Sequence, residues 1–245
     1  MAQITVHETE LSLSNPTLVE GLPGVGLVGK ITADHLIETF EMTHYATCHC
    51  KGLPEVAIYH ENDPEITGAV RLYADPEHEL LVLQSDVPVS PNAAEEFAGC
   101  LTGWIRDQDA LPIYLSGRST DPDDERATYG VATGEAGEIL SAHDIAPPDE
   151  RGAISGPTGA LLYEAHRQDL DALGLIVEAS ARFPDPAAAT SLIETAIAPI
   201  TGLTVETDSL LDRAEEIRAT RQQLAQRMQQ AQEESSKAEP VGMYQ

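Results

Sequence analysis

Apolar residues along this chain change their period repeatedly, and each change marks an element. Ile4 to Thr9 alternates apolar with polar residues, the period of a half-buried strand. Thr17 to Leu22 is a short apolar run that reads as a second strand. From about Gly26 to Phe40 the apolar positions recur at helical spacing. His44 to Cys50 is expected as a third strand, and alternation there places Cys48 and Cys50 on one face with His44, and His49 on the other. Glu55–His60 and Ile66–Tyr73 follow as strands. Asp75-Pro76-Glu77-His78 is a polar turn, and Glu79–Ser85 closes a hairpin with the strand before it. Ser90 or Asn92, with Pro91 beside it, is placed to cap a helix running to about Gln108. That helix carries Phe97, Leu101, Trp104 and Ile105 on one stripe, with Trp104 as a core anchor.

The second half repeats strand and helix. Leu111–Leu115 is a buried-type strand, Thr128–Thr133 another, and Glu135–Ala142 a short helix. Ser119–Arg126 is a polar loop. The turn Gly156-Pro157-Thr158-Gly159 precedes a helix from about Ala160 to Leu170. Leu173–Ala179 is a strongly apolar strand, and Pro184-Asp185-Pro186 opens a helix from about Ala187 to Ala198. The expected fold class is α/β: a mixed, mostly parallel sheet flanked by helices, filling residues 1–206.

From about Asp208 to Ser235 the pattern changes again. Glycine and proline vanish, and Leu210, Ala214, Ile217, Leu224 and Met228 step by four and three, with Arg221 as a polar interruption. A long C-terminal helix over 207–235 is therefore expected, with those five residues as an oligomerisation seam. Residues 236–245 form a polar tail ending in Met243-Tyr244-Gln245.

Charge narrows the chemistry. The chain of 245 residues carries 41 acidic against 14 basic residues, a formal net of −27. Its only lysines are Lys30, Lys51 and Lys237. Scattered acids with arginine in place of lysine fit a salt-adapted surface, whose self-repulsion salt screens. The rival is an acidic surface made for a basic partner. Nucleic acid is not an expected ligand, because its phosphates would be repelled. No apolar run approaches a membrane span, and no signal peptide opens the chain, so a cytoplasmic protein is expected. Cys48, Cys50 and Cys100 lack disulfide spacing, and buried reduced thiols are the expectation.

Gly24, Gly26 and Gly29 spell G-x-G-x-x-G between a strand and a helix, the dinucleotide fingerprint. A parallel second strand over 43–50 ought then to end in a carboxylate, and it ends in Lys51-Gly52-Leu53-Pro54 instead. The alternative use of the glycines is conformational, with positive φ at Gly24 and Gly26 and close helix packing at Gly29. Nucleotide or nucleoside binding at this turn stays open as a second function. Nothing near the Gly156–Gly159 turn supplies a nucleophile with its base, alternation keeps Cys48, His49 and Cys50 from converging on one metal ion, and no cofactor is expected.

Met243-Tyr244-Gln245 has the form of the HbYX ending by which proteasome activators and assembly factors dock between α-subunits of the core particle. The terminal carboxylate is a point charge, and the tyrosine adds apolar area and a hydroxyl. Gly21–Lys30 with Ala33–Ile37, Leu80–Asp86, Gly174–Ala179, Asp185-Pro186 and Leu203-Thr204-Val205 together resemble the archaeal branch of the proteasome assembly chaperone family. That resemblance implies a non-enzymatic fold of nucleoside-phosphorylase outline, homo-oligomers, and binding to proteasome α-subunits. The expected role is assembly chaperone or ATP-independent gate activator, with Met243, Tyr244 and Gln245 as the contact.

Overall fold

A computed structural model describes residues 4–61, 63–120, 126–181 and 184–212. One eight-stranded sheet organises them, in the order β1-β3-β6-β7-β2-β8-β10-β9. Its strands are β1 (Ile4–Val6), β2 (Thr17–Gly21), β3 (Thr43–Cys48), β6 (Val70–Asp75), β7 (Leu80–Ser85), β8 (Leu111–Ser119), β9 (Thr128–Thr133) and β10 (Ala172–Ala179). β4 (Ala57–Tyr59) and β5 (Ile66–Gly68) form a separate antiparallel ribbon. The centre of the sheet is parallel, β2 pairing with β7 and β8, and β8 with β10. The flanks are antiparallel. The central strands are apolar runs because helices cover both faces.

The alternation within β2 shows how the faces divide: Leu18 belongs to one core and Val19 to the other, and neither is exposed. On the Leu18 side lie α2 (Ala94–Asp107) and α4 (Gly156–Arg167), contributing Phe97, Leu101, Ile105, Leu161 and Ala165. On the Val19 side lie α1 (Val28–Thr39), α5 (Pro186–Leu192), the π-helical turn Ile193–Ile197, and α6 (Ala198–Thr201). A short helix, α3 (Gly137–Ala142), lies beside β9. The helix at Pro186 thus continues through the π-helical turn and ends at Thr201, close to where its sequence places the end.

The hairpin of β6 and β7 forms as its spacing indicates. Ser90 Oγ accepts from the Asn92 N–H at 3.3 Å, ahead of a 3-10 turn that leads into α2. Trp104 is only half-buried, against Tyr45 at the margin of the core, while Phe97 and Tyr114 are the large residues at its centre.

Other expectations are corrected. Cys50 and Cys100 form a disulfide, with Cα atoms 6.0 Å apart. They lie 50 residues apart in sequence, one just past β3 and the other on α2, so only the packing of α2 on the sheet brings them together. Cys48 alone stays a buried thiol, and burial pushes its pKa up to about 12. His44 does not share the cysteine face. The register shifts between His44 and Ala46, and His44 Nε2 lies 3.1 Å from Thr47 Oγ1 on the opposite side. β3 is antiparallel to both its neighbours and does not touch β2, so it is not the second parallel strand of a dinucleotide fold.

Of the segment expected as a long helix, the structure describes only the first residues, of which 208–212 are helical. Its remainder over 213–235, and the tail 236–245, lie outside the described residues.

Candidate functional site

The parallel strands β7, β2, β8 and β10 all end at one edge of the sheet, where α/β proteins usually place their chemistry. The glycine turn sits there. Gly24 is extended (φ −145°) and has open space where a Cβ would stand, so it does not supply the positive φ expected of it. Gly26 does, at φ 63°, and Leu27 follows in the left-handed region at φ 52°. A Cβ on Gly26 would lie 3.1 Å from both Ala179 Cβ and the Ser180 carbonyl oxygen. One on Gly29 would lie 2.9 Å from the Leu22 carbonyl oxygen, which is the close helix approach its position suggests. Val25 is pressed onto the end of β8, its carbonyl oxygen 2.6 Å from where a Cβ of Gly117 would be. The turn is thus occupied on its inner side by the chain itself.

Asp185 is what holds it. Its N–H donates to the Gly26 carbonyl at 2.8 Å. Its carboxylate accepts from the N–H of Ser180 at 2.8 Å and of Ala188 at 3.2 Å, capping α5. The same carboxylate pairs with Arg126 Nη2 at 2.8 Å, both side chains being almost wholly buried. A phosphate at this turn would meet a fixed carboxylate beside its only nearby buried arginine among the described residues.

Glu20, at the end of β2, is fully buried. Its carboxylate accepts from the N–H groups of Leu22 (3.0 Å) and Leu115 (3.1 Å) and from the Thr158 hydroxyl (3.2 Å). Burial raises its pKa to about 7 against the lowering effect of those three donors. Tyr114 stands beside it, and burial together with the Glu20 charge pushes the phenol above its usual range. The turn at Gly156–Gly159 therefore serves to seat Thr158 on Glu20. A Cβ on Gly159 would lie 2.2 Å from the Ile154 carbonyl oxygen, so the backbone passes too close for any other residue.

A polar network caps the end of β7. Lys30 Nζ pairs with Asp34 at 2.9 Å and with Asp86 at 3.4 Å. Gln84 Nε2 donates to Asp86 at 2.9 Å, while Arg71, itself buried, donates to Gln84 Oε1 at 2.8 Å and pairs with Asp86. Burial works against the charge on Asp86, but Gln84, Arg71 and Lys30 outweigh it and hold its pKa below the ordinary Asp value. Further along the edge, Arg118 joins Glu178 (2.6 Å), Asp149 (3.0 Å) and the Tyr129 hydroxyl (3.0 Å). It borders a cavity of about 870 Å³ between α4, β8, β9 and the segment 148–154, which Ile154, Leu162 and His166 also line.

Of the residues singled out from sequence, Gly24, Gly26 and Gly29 lie in one turn at this edge. Leu210 is fully buried in the core on the Val19 side, covered by its own chain. Ala214, Ile217, Leu224, Met228, Met243, Tyr244 and Gln245 lie outside the described residues. Among the described residues no group of three His, Cys, Asp or Glu side chains is placed to hold a metal ion, and no helix is long and apolar enough to cross a membrane. Sequence reasoning passed over Glu20, Arg71, Asp86 and the Arg126–Asp185 pair. The available signal was a charged residue inside a largely apolar strand, which both Glu20 in β2 and Arg71 in β6 are.

Residues 18–225 match the model of the PAC2 family. An uncharacterised protein of Methanocaldococcus jannaschii is 25% identical over 239 residues, 96% of each chain. The crystal structure of Pyrococcus furiosus PbaA, an archaeal homolog of proteasome-assembly chaperone, is 25% identical with a TM-score of 0.77, covering 95% of this chain and 100% of that one. Pyrococcus furiosus PbaB, an archaeal proteasome activator, has the same fold, with a TM-score of 0.78 at 24% identity over 91% of this chain and 98% of that one.

Proposed function

The chain belongs to the PAC2 family, and from that premise we propose that it binds the proteasome core particle, as an assembly chaperone or as an ATP-independent gate activator. The observation that carries this is the likeness to PbaA across nearly the whole of both chains. It is a binding function and requires no catalytic step.

The contact is Met243-Tyr244-Gln245, docking between α-subunits. A free carboxylate on Gln245 offers a point charge to a basic pocket, and Tyr244 adds apolar area with a hydroxyl. Leu210 belongs to the domain core, so the self-association seam starts beyond it, at Ala214, Ile217, Leu224 and Met228. Several tails on one oligomer would gain avidity on a ring with several pockets.

The test is a pull-down with purified core particles at high salt, using the full chain and a chain lacking the last three residues. Capture by the full chain and its loss on truncation support the proposal. Undiminished capture by the truncated chain removes the tail from it, and no capture by either removes the proteasome. Peptidase activity of mature core particles, raised by the full chain or unchanged, separates gate opening from assembly. The glycine turn gains no support as a nucleotide site, because Asp185 and the end of β8 already fill its inner side.

A further inference from the structure

The β4–β5 ribbon projects from the same edge of the sheet and is not a loose hairpin. Ile58 packs against the core on the Leu18 side. Arg71 Nη1 donates to Thr67 Oγ1 at 3.0 Å and to the Gly68 carbonyl at 2.9 Å. Arg71 is itself buried and fixed by Gln84 and Asp86, so the inner side of the ribbon is bolted to the end of β7.

Its outer side is apolar and bare. Tyr59 and Ile66 are direct cross-strand partners, 84% and 69% exposed. Opposed side chains on an antiparallel pair lie about 5 Å apart, so the two form one continuous surface. Large apolar side chains exposed side by side on a rigid element mark an interaction site more often than isolated ones do.

Charge specifies what fits. Glu55, Glu61, Asp63 and Glu65 flank the pair along the chain, and all are exposed. The nearest basic residues along the chain do not balance them: Lys51 pairs with Glu96 at 2.7 Å, and Arg71 is buried against Asp86. Among the described residues β4 has no strand partner except β5, so its other edge is free. A free strand edge, an apolar centre and an acidic rim describe a receptor for an extended segment. A second copy of this chain would bring the same carboxylates against them. We propose that the β4–β5 ribbon docks an extended, basic segment of another protein, with alternating apolar side chains on Tyr59 and Ile66 and lysines or arginines on the acidic rim. This surface shares no residue with the C-terminal tripeptide, and its proposal does not depend on the proteasome.

The experiment uses the full chain and a labelled synthetic peptide alternating lysine and valine, with fluorescence anisotropy as the readout. Saturable binding is expected, weakened about tenfold or more by Tyr59→Ser with Ile66→Ser together, and weakened again at molar salt. A peptide alternating glutamate and valine does not bind. Tyr163→Ser, at another exposed aromatic on α4, leaves binding unchanged. Absent binding, or equal binding by the double variant, overturns the proposal, the latter because the peptide would then follow only overall negative charge. Self-association that strengthens with salt in sedimentation and is lost in the double variant also overturns it, and assigns the ribbon to a second copy.

Discussion

The carboxylate of Glu20 and the hydroxyl of Thr158 meet at 3.2 Å across 138 positions of sequence, inside the protein. Through this contact β2, β8 and the first turn of α4 share one titratable group.

That group gives the fold a pH dependence. Burial carries the Glu20 pKa up to about 7, while the unfolded chain releases the proton near 4.5. Between those values the folded chain holds a proton that the unfolded chain has lost. The contribution of Glu20 is therefore fully present below pH 4.5, declines as pH rises through about 7, and is level above that. At about 1.4 kcal/mol per pH unit the decline is roughly 3 kcal/mol. Urea unfolding across this range, wild type minus Glu20→Gln, isolates the slope from that of the surface acids.

Of two glycines in the same motif, only one is sensitive to alanine. Gly26→Ala places a Cβ at positive φ and against Ala179 and Ser180, and loses about 1–3 kcal/mol. Gly24→Ala enters open space on extended backbone and stays within about 0.5 kcal/mol of wild type. Urea midpoints of the two variants check this.

Asp185→Ala strands Arg126 in the interior and releases both the α5 cap and the Ser180 N–H. A loss of about 3–5 kcal/mol is expected, the usual cost of leaving one partner of a buried ion pair alone. Thermal unfolding measures it, and Asp34→Ala, whose carboxylate is half-exposed, serves as the mild control.

The cysteines divide into a bonded pair and a silent thiol. Native protein shows no fast-reacting thiol with a colorimetric disulfide reagent, because Cys48 is buried and its thiol is pushed up to about 12. After unfolding without reductant one thiol reacts, and with reductant all three do. Reduction opens a loop with a sequence separation of 50, at a cost of about 4 kcal/mol.

Local pattern by itself determined much of the architecture. Period and punctuation placed the apolar strands, the β6–β7 hairpin and the helix opened by Asp185-Pro186, and narrowed the cap before α2 to Ser90 or Asn92, since each depends on contacts within a few residues. Only the tertiary structure decided that Cys50 reaches Cys100, that β3 runs antiparallel, that Leu210 lies in the domain core, and that Gly26 but not Gly24 needs to be glycine. It alone put Thr158 on Glu20, Asp185 under the glycine turn, and Tyr59 beside Ile66 over a buried Arg71. Those outcomes depend on which distant segments become neighbours, and chain periodicity carries the phase of each segment but not the identity of what it meets.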